Sequence, residues 1–288
     1  MPPASIFLKT LRDLRWQVFW YGIGLASMCA LVVFVYPSYR DQLISFEIPE
    51  ALKPLIGDAD YASAEGFLTA EFFSWGPLLG VIFAIMAGTA LLGGEEAGGT
   101  LDLLLSQPIS RRRLVLEKMS GFAVGACLIA VLVDVGWLLS VPFVEIDISL
   151  VKLLAATFLM APQMLLVAAV SVWATAFLPE RKLATGFVTA FVVASFFGNY
   201  LAELVDVLAP LRWASFFHYQ NSEVLTKGLN LGDLAVLLVA TLAFAVLAVL
   251  SFQEREIGVH NGGFKLPRLR TDRTSAQAPR TQQGRAAL

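Results

Sequence analysis

The residues best suited to chemistry crowd into one stretch, Gly93 to Lys118, which reads GGEEAGGTLDLLLSQPISRRRLVLEK. Four acids, Glu95, Glu96, Asp102 and Glu117, face four bases, Arg111, Arg112, Arg113 and Lys118. Such near balance suits ion pairing within the segment rather than a nucleic-acid or phosphate patch. Elsewhere, Asp134 is the one ionisable residue near the middle of an apolar run. A carboxylate there costs about 2.5–3.5 kcal/mol on insertion scales, so it must face the protein interior, water or a hydrogen-bonding partner. It either lines a path through the bundle or fixes helix packing. The two histidines, His218 and His260, are too few for a metal or acid–base site, and Cys29 and Cys127 sit inside apolar runs as packing residues. No spaced His, Asp, Glu or Ser constellation occurs within the apolar runs, so neither catalytic nor metal-binding residues are assigned. The Gly-x-x-x-x-Gly-Lys-Ser/Thr phosphate loop is absent as well, and the chain is not itself an ATPase.

Local physics divides the charged stretch into parts. Gly93, Gly94, Gly98 and Gly99 are expected to end the preceding helix, because glycine costs about 1 kcal/mol relative to alanine inside one. Thr100 then caps a short helix with Leu101, Leu104 and Leu105 on one face and Asp102 and Ser106 on the other. Pro108 stops that helix, and Ser110 starts the next. Seven or so residues at about 1.5 Å each cannot cross lipid. The small amphipathic helix must therefore lie on something, either a groove in a partner or a headgroup layer.

The elements that would position this loop are membrane spans. The chain of 288 residues is 57% hydrophobic and only 15% charged, with mean hydropathy +0.69, which is too apolar for a soluble domain and marks an all-α integral membrane protein. An interfacial amphipathic helix is expected over 5–15, with Phe7, Leu8, Leu11 and Leu14 on one side. Six spans follow at about 16–36, 72–92, 119–142, 150–178, 183–203 and 234–252, with Pro37 ending the first and Pro162 kinking the fourth. The acidic segment 37–70 is an outer loop, and 253–288 reads as a basic, disordered cytoplasmic tail. In span two, Gly76, Gly80, Ala84 and Gly88 recur every four residues, a smooth ridge that serves either packing within the bundle or a dimer seam. Gly121 and Gly125 repeat the device in span three. The aromatic outer half of span five, Phe191, Phe196, Phe197 and Tyr200, either packs or, with Asp134, lines a transport path. Glu71, Glu203 and Asp206 stand at the outer face, where carboxylates could serve cations.

Basic residues decide the orientation. Three lie in the N-terminal segment, four in the charged loop, two in the 179–182 turn and seven in the tail, against only five in the alternate set of loops. By the positive-inside bias both termini and the charged loop are cytoplasmic.

An acidic pair, Gly-Thr-Leu, a leucine cluster, proline, serine, arginine and lysine, set between spans two and three of six, resembles the corresponding loop of ABC transporter type-2 permeases of the exporter-like class. The motif covers about a tenth of the chain, and the six-span layout extends the likeness over nearly all of it. The resemblance implies that this loop contacts an ATP-binding subunit through Glu95, Glu96, Gly99, Thr100, Leu101, Leu104, Leu105, Pro108, Ser110 and Arg111. It implies short re-entrant helices between spans five and six. The chain would itself carry no cofactor, with ATP and Mg²⁺ held by two copies of the ATP-binding subunit. A second copy of the chain, or a related permease, would complete the path in a bacterial cytoplasmic membrane. Neither spacing nor composition names the cargo. A mostly apolar interior favours a drug, antibiotic or lipid-like molecule, and extrusion of sodium or another ion, or secondary transport without an ATPase, are the rivals.

Overall fold

The computed structural model describes residues 5–44, 63–101, 104, 106, 109–144, 146, 148–220, 225 and 228–254. Within the expected outer loop, 45–62 lies outside the described residues, as does the expected tail from 255 onward. Six helical segments are long and apolar enough to cross a membrane: Ile6–Ser38, Ala64–Ala97, Arg111–Phe143, Leu150–Phe177, Arg181–Ala202 and Leu231–Glu254. No strand occurs among the described residues.

The first span belongs to α1 (Ser5–Ile44), a single continuous helix. The stretch 5–15 is therefore not a separate interfacial helix. Its buried side is Ile6, Thr10 and Leu14 at every fourth position, while Leu8 is 58% exposed, because this side packs on span three. Pro37 does not end α1 either. It removes a single helical bond near the helix end, and the next residue back, Tyr36, is buried against the Phe67 ring at 5.3 Å.

The second span is built in two pieces. Ser63 accepts a hydrogen bond from the Gly66 N–H (3.1 Å) and opens α2 (Ala64–Leu68), which passes through a π-helical turn (Thr69–Phe73) into α3 (Gly76–Ala97). The turn seats Phe72 and Phe73 against the fully buried Trp137 at 4.9 and 5.9 Å. Trp137 keeps its polar edge satisfied by donating to Thr157 Oγ1 at 3.0 Å. The third span is α4 (Arg111–Ser140), extended by a 3₁₀ turn (Val141–Phe143). The fourth divides into α5 (Leu150–Phe158) and α6 (Met160–Phe177) with a break at Leu159. That break realises the expected kink, since the Pro162 ring collides with the carbonyl four residues back, that of Phe158. The fifth and sixth spans are α7 (Arg181–Leu204) and α8 (Leu231–Glu254), joined through 3₁₀ segments Asp206–Ala214 and His218–Gln220.

Span four is the hub, packing on spans two, three, five and six, while span one packs chiefly on span three. Burial follows: 78% of the apolar window of span four is inside the bundle, but only 11% of that of span six. The small-residue ridge of span two faces this hub. A Cβ at Gly88 would lie 3.0 Å from the Ala168 Cα and 2.8 Å from the Ser171 Cβ, and one at Gly80 would meet Met164; Ala84 is wholly buried. Gly76 instead accommodates the Phe72 ring. Between spans one and three the same device recurs, with Gly121 against Thr10, Gly125 against Val18 and Gly136 against the Ala26 backbone. Cys29 is buried, but Cys127 faces outward and does not pack as expected.

Replacing Gly88 with alanine drives a methyl group into backbone. The expected loss is about 1–3 kcal/mol, read as a lower unfolding midpoint of the purified chain in detergent. Gly24→Ala, with nothing within 4 Å of the new methyl, is expected to leave the midpoint unchanged or raise it.

Candidate functional site

At the end of the bundle that carries the charged loop, α3 does not stop at Gly93 and Gly94 but runs through both to Ala97. The glycine penalty is outweighed there by packing: Gly93 is buried, and the place of its missing Cβ lies 2.9 Å from the Arg181 Cγ, whose stem crosses it at the start of α7. The helix ends instead at the second glycine pair. Gly99 takes φ +65°, the Thr100 N–H reaches back to the Glu95 carbonyl (2.9 Å), and the Gly99 N–H reaches that of Glu96 (3.1 Å). This is a Schellman closure, which requires a residue free of a Cβ at Gly99.

The closure folds Thr100 back over Glu95. The threonine hydroxyl donates to Glu95 Oε2, so it does not cap the following helix as expected, although the Thr100 carbonyl accepts the Leu104 N–H at 3.1 Å. Leu101 and Leu104 are helical, Leu101 buried and Leu104 half-buried. Leu105 and Pro108 lie outside the described residues.

Glu95 is the centre of the site. Its other oxygen, Oε1, accepts from Lys118 Nζ at 2.8 Å and Lys9 Nζ at 2.6 Å. The Lys118 and Glu95 side chains are 6% and 9% exposed, that of Lys9 33%. One carboxylate thus ties the N-terminal helix, the end of span two, the loop and the start of span three. Glu95, which the resemblance implies contacts an ATP-binding subunit, is itself buried at 8% exposure and stands behind the exposed face of the loop. Glu96, Gly99, Ser106, Ser110, Arg112 and Arg113 form the exposed surface.

The loop is pinned at its far end too. Ser110 accepts the Arg113 N–H (3.3 Å) and caps α4, and Arg113 pairs with Glu117 at 2.6 Å. Arg111, expected on the contact surface, is turned inward to span six. Its Nη1 donates to the carbonyls of Phe252 (3.1 Å) and Gln253 (3.2 Å), and its guanidinium lies over the Phe252 ring. A cation on the final carbonyls of a helix is favoured by their partial negative charge.

The residues expected along a transport path are not brought into one site. Asp134 lies beside Thr157 on α5, with a buried Oδ1 that has no partner among the described residues. Phe191 stacks on Phe216 at 5.7 Å and Phe196 meets Phe217 at 5.4 Å, fixing α7 to the segment that follows it. Ser195 reinforces that junction by accepting the Phe216 N–H, while Ser215 donates to the Ser195 carbonyl. Phe197 is 54% exposed and Tyr200 half-buried. In the same segment, burial and then the nearby Arg212 hold the His218 imidazole below its ordinary value. Glu71 is exposed, and the side chains of Glu203 and Asp206 lie outside the described residues.

A family model described as "ABC-2 family transporter protein" matches residues 6–257, nearly the whole chain. No individual curated protein matches it.

Removing the central carboxylate strands a buried ammonium. Glu95→Ala is expected to cost about 3–5 kcal/mol, as for breaking any buried pair from one side, measured by thermal unfolding in detergent. The double change Glu95→Leu with Lys118→Met should recover most of that loss.

Proposed function

Because the chain belongs to the ABC-2 family of transporter proteins, and is a multi-pass membrane protein of six apolar spans, we propose that it is the permease of an exporter driven by ATP hydrolysed on a separate subunit. Two such subunits seat on the exposed face of the loop around Glu96, Gly99, Ser110 and Arg112, and a second copy of this chain or a related permease completes the path. Both termini and the loop face the cytoplasm of a bacterial cell, as the distribution of basic residues supports. The 206–220 segment forms the re-entrant element between spans five and six.

The observation that carries this proposal is the bracing of the loop. A surface turn has no need of a buried carboxylate holding three segments, nor of an arginine locked onto the last carbonyls of span six. A loop that must pass force to the spans needs both. When the ATP-binding subunits close, they displace the loop; Glu95 passes the displacement to spans one, two and three, and Arg111 passes it to span six. The spans then exchange an inward for an outward opening, driven by the difference in contact free energy between the two states. The cargo is an apolar or amphipathic molecule, in keeping with a bundle whose hub is lined by Val, Leu, Met and Ala.

Two kinds of variant separate docking from transmission. Glu96→Lys with Arg112→Glu reverses the exposed charges and is expected to abolish co-purification of the ATP-binding subunit. Glu95→Gln keeps the exposed face and so keeps the complex. Its cargo-stimulated ATP hydrolysis is expected to fall about tenfold, for a coupling free energy of roughly 1–3 kcal/mol. Transport by the purified chain in vesicles holding no ATP-binding subunit would overturn the proposal.

A further inference from the structure

Beside the loop, on the membrane side of Glu95, a half-open cleft of about 270 Å³ separates α1 from α3. Its walls are unlike in character. Leu14, Ala87, Ala90 and Leu91 make an apolar side, while Lys9 and Lys118 stand at one end with Asp13 and Gln17 along α1. The small residues Ala87, Ala90 and Gly94 recur at helical spacing on α3 and leave the space open.

The cleft holds two acids, Glu95 and Asp13, against two lysines, but the direct contacts around Glu95 are lopsided. Two ammonium groups share the single oxygen Oε1, and the other oxygen is taken by Thr100. Lys118 is 95% buried by residue, given its 5% exposure, yet of its three N–H donors only one has an acceptor among the described residues, Glu95. Asp13 faces the same space and acts on Lys118 through its charge, without an ion pair to it within 4.0 Å. Arg12 and Arg15 add positive charge along the exposed side of α1. A buried ammonium with spare donors favours a further anion.

Depth and shape decide which anion. Lys9 and Gln17 are eight residues apart, about 12 Å along α1 at 1.5 Å per residue. Exposed Trp16 and Trp20 mark the level of the bilayer interface on the same helix. The cleft therefore runs from the headgroup layer to the top of the hydrocarbon, polar at the first end and apolar toward the second. Its volume falls just short of the roughly 300–1,000 Å³ that engulfs a drug-sized ligand, so it takes a headgroup rather than a whole amphiphile.

We propose that this cleft binds the phosphate headgroup of an anionic phospholipid of the inner leaflet, held between Lys9 and Lys118 with its glycerol end against Leu14, Ala87 and Leu91. This site does not depend on an ATP-binding partner, so it is tested on the purified full chain alone. The thermal midpoint is measured in detergent micelles with phosphatidylglycerol, phosphatidylcholine or inorganic phosphate added. Phosphatidylglycerol is expected to raise the midpoint by roughly 3–6 °C, the scale for a saturating ligand on a chain of this size, and phosphatidylcholine far less. Lys9→Ala should remove most of that shift while Arg12→Ala, outside the cleft on the same helix, retains it. Asp13→Asn, which removes a competing negative charge that acts on Lys118 while leaving the hydrogen bonds of Glu95 in place, should enlarge it. Equal loss in the Lys9 and Arg12 variants would reduce the effect to general surface attraction and overturn the site. An unchanged shift in Asp13→Asn, an equal shift with phosphatidylcholine, or the full shift with inorganic phosphate would overturn it too.

Discussion

A carboxylate placed in the last turn of a helix stands against the partial negative charge of the unpaired carbonyls there. Glu95 does so while buried, which removes the water that would otherwise relieve it. Both penalties are met by bringing in cations, and the cations come from Lys118 on α4 and Lys9 on α1. The geometry of the loop end of the bundle follows from that need. It sets how α1 lies against span three, why α3 continues through two glycines to deliver Glu95 to the cluster, and why Gly99 must close the helix just beyond.

The remainder of the bundle answers to a different constraint. In lipid, helices gain nothing from hiding apolar surface from one another, so association rests on close packing and on few polar contacts. Close packing is supplied by glycine and alanine ridges against span four and between spans one and three. The polar contacts gather at the two ends. Glu95 and Arg111 serve one end, and Lys152 pairing with Glu65 at 3.0 Å, with Trp137 on Thr157, serves the other. Between these ends the described polar side chains are mostly hydroxyls returned to their own helices, with the buried Gln163, the Thr185 hydroxyl donating across to Thr89 at 3.4 Å, and Asp134 beside Thr157.

Hydropathy made the six spans legible, because twenty apolar residues in a row permit few other fates. Motif and spacing marked the loop between spans two and three, and Pro162 marked the break in span four. What escaped was long-range in origin. Glycine propensity argued for a turn at Gly93, but propensity is a local quantity and the Arg181 stem that needs the bare backbone is 88 residues away in the chain. The pairing of Glu95 with Lys118 lies within the segment whose charge balance suited internal ion pairs, but Lys9, 86 residues off, escaped. A clue was present in the paired acids at a helix C-terminus, which call for cations there. Arg111 showed the opposite failing: its place in a surface-like motif concealed that it faces inward to Phe252.

The grip of Arg111 on the final carbonyls of α8 has a mechanical corollary. Span six has the smallest buried share of apolar window among the six and is held chiefly by span four. The guanidinium acts as a cleat at its loop-side end, joining the last helix to the first turn of span three. A load hung on the chain beyond Glu254, such as a tethered domain, would be felt first at that turn rather than dissipated along the helix.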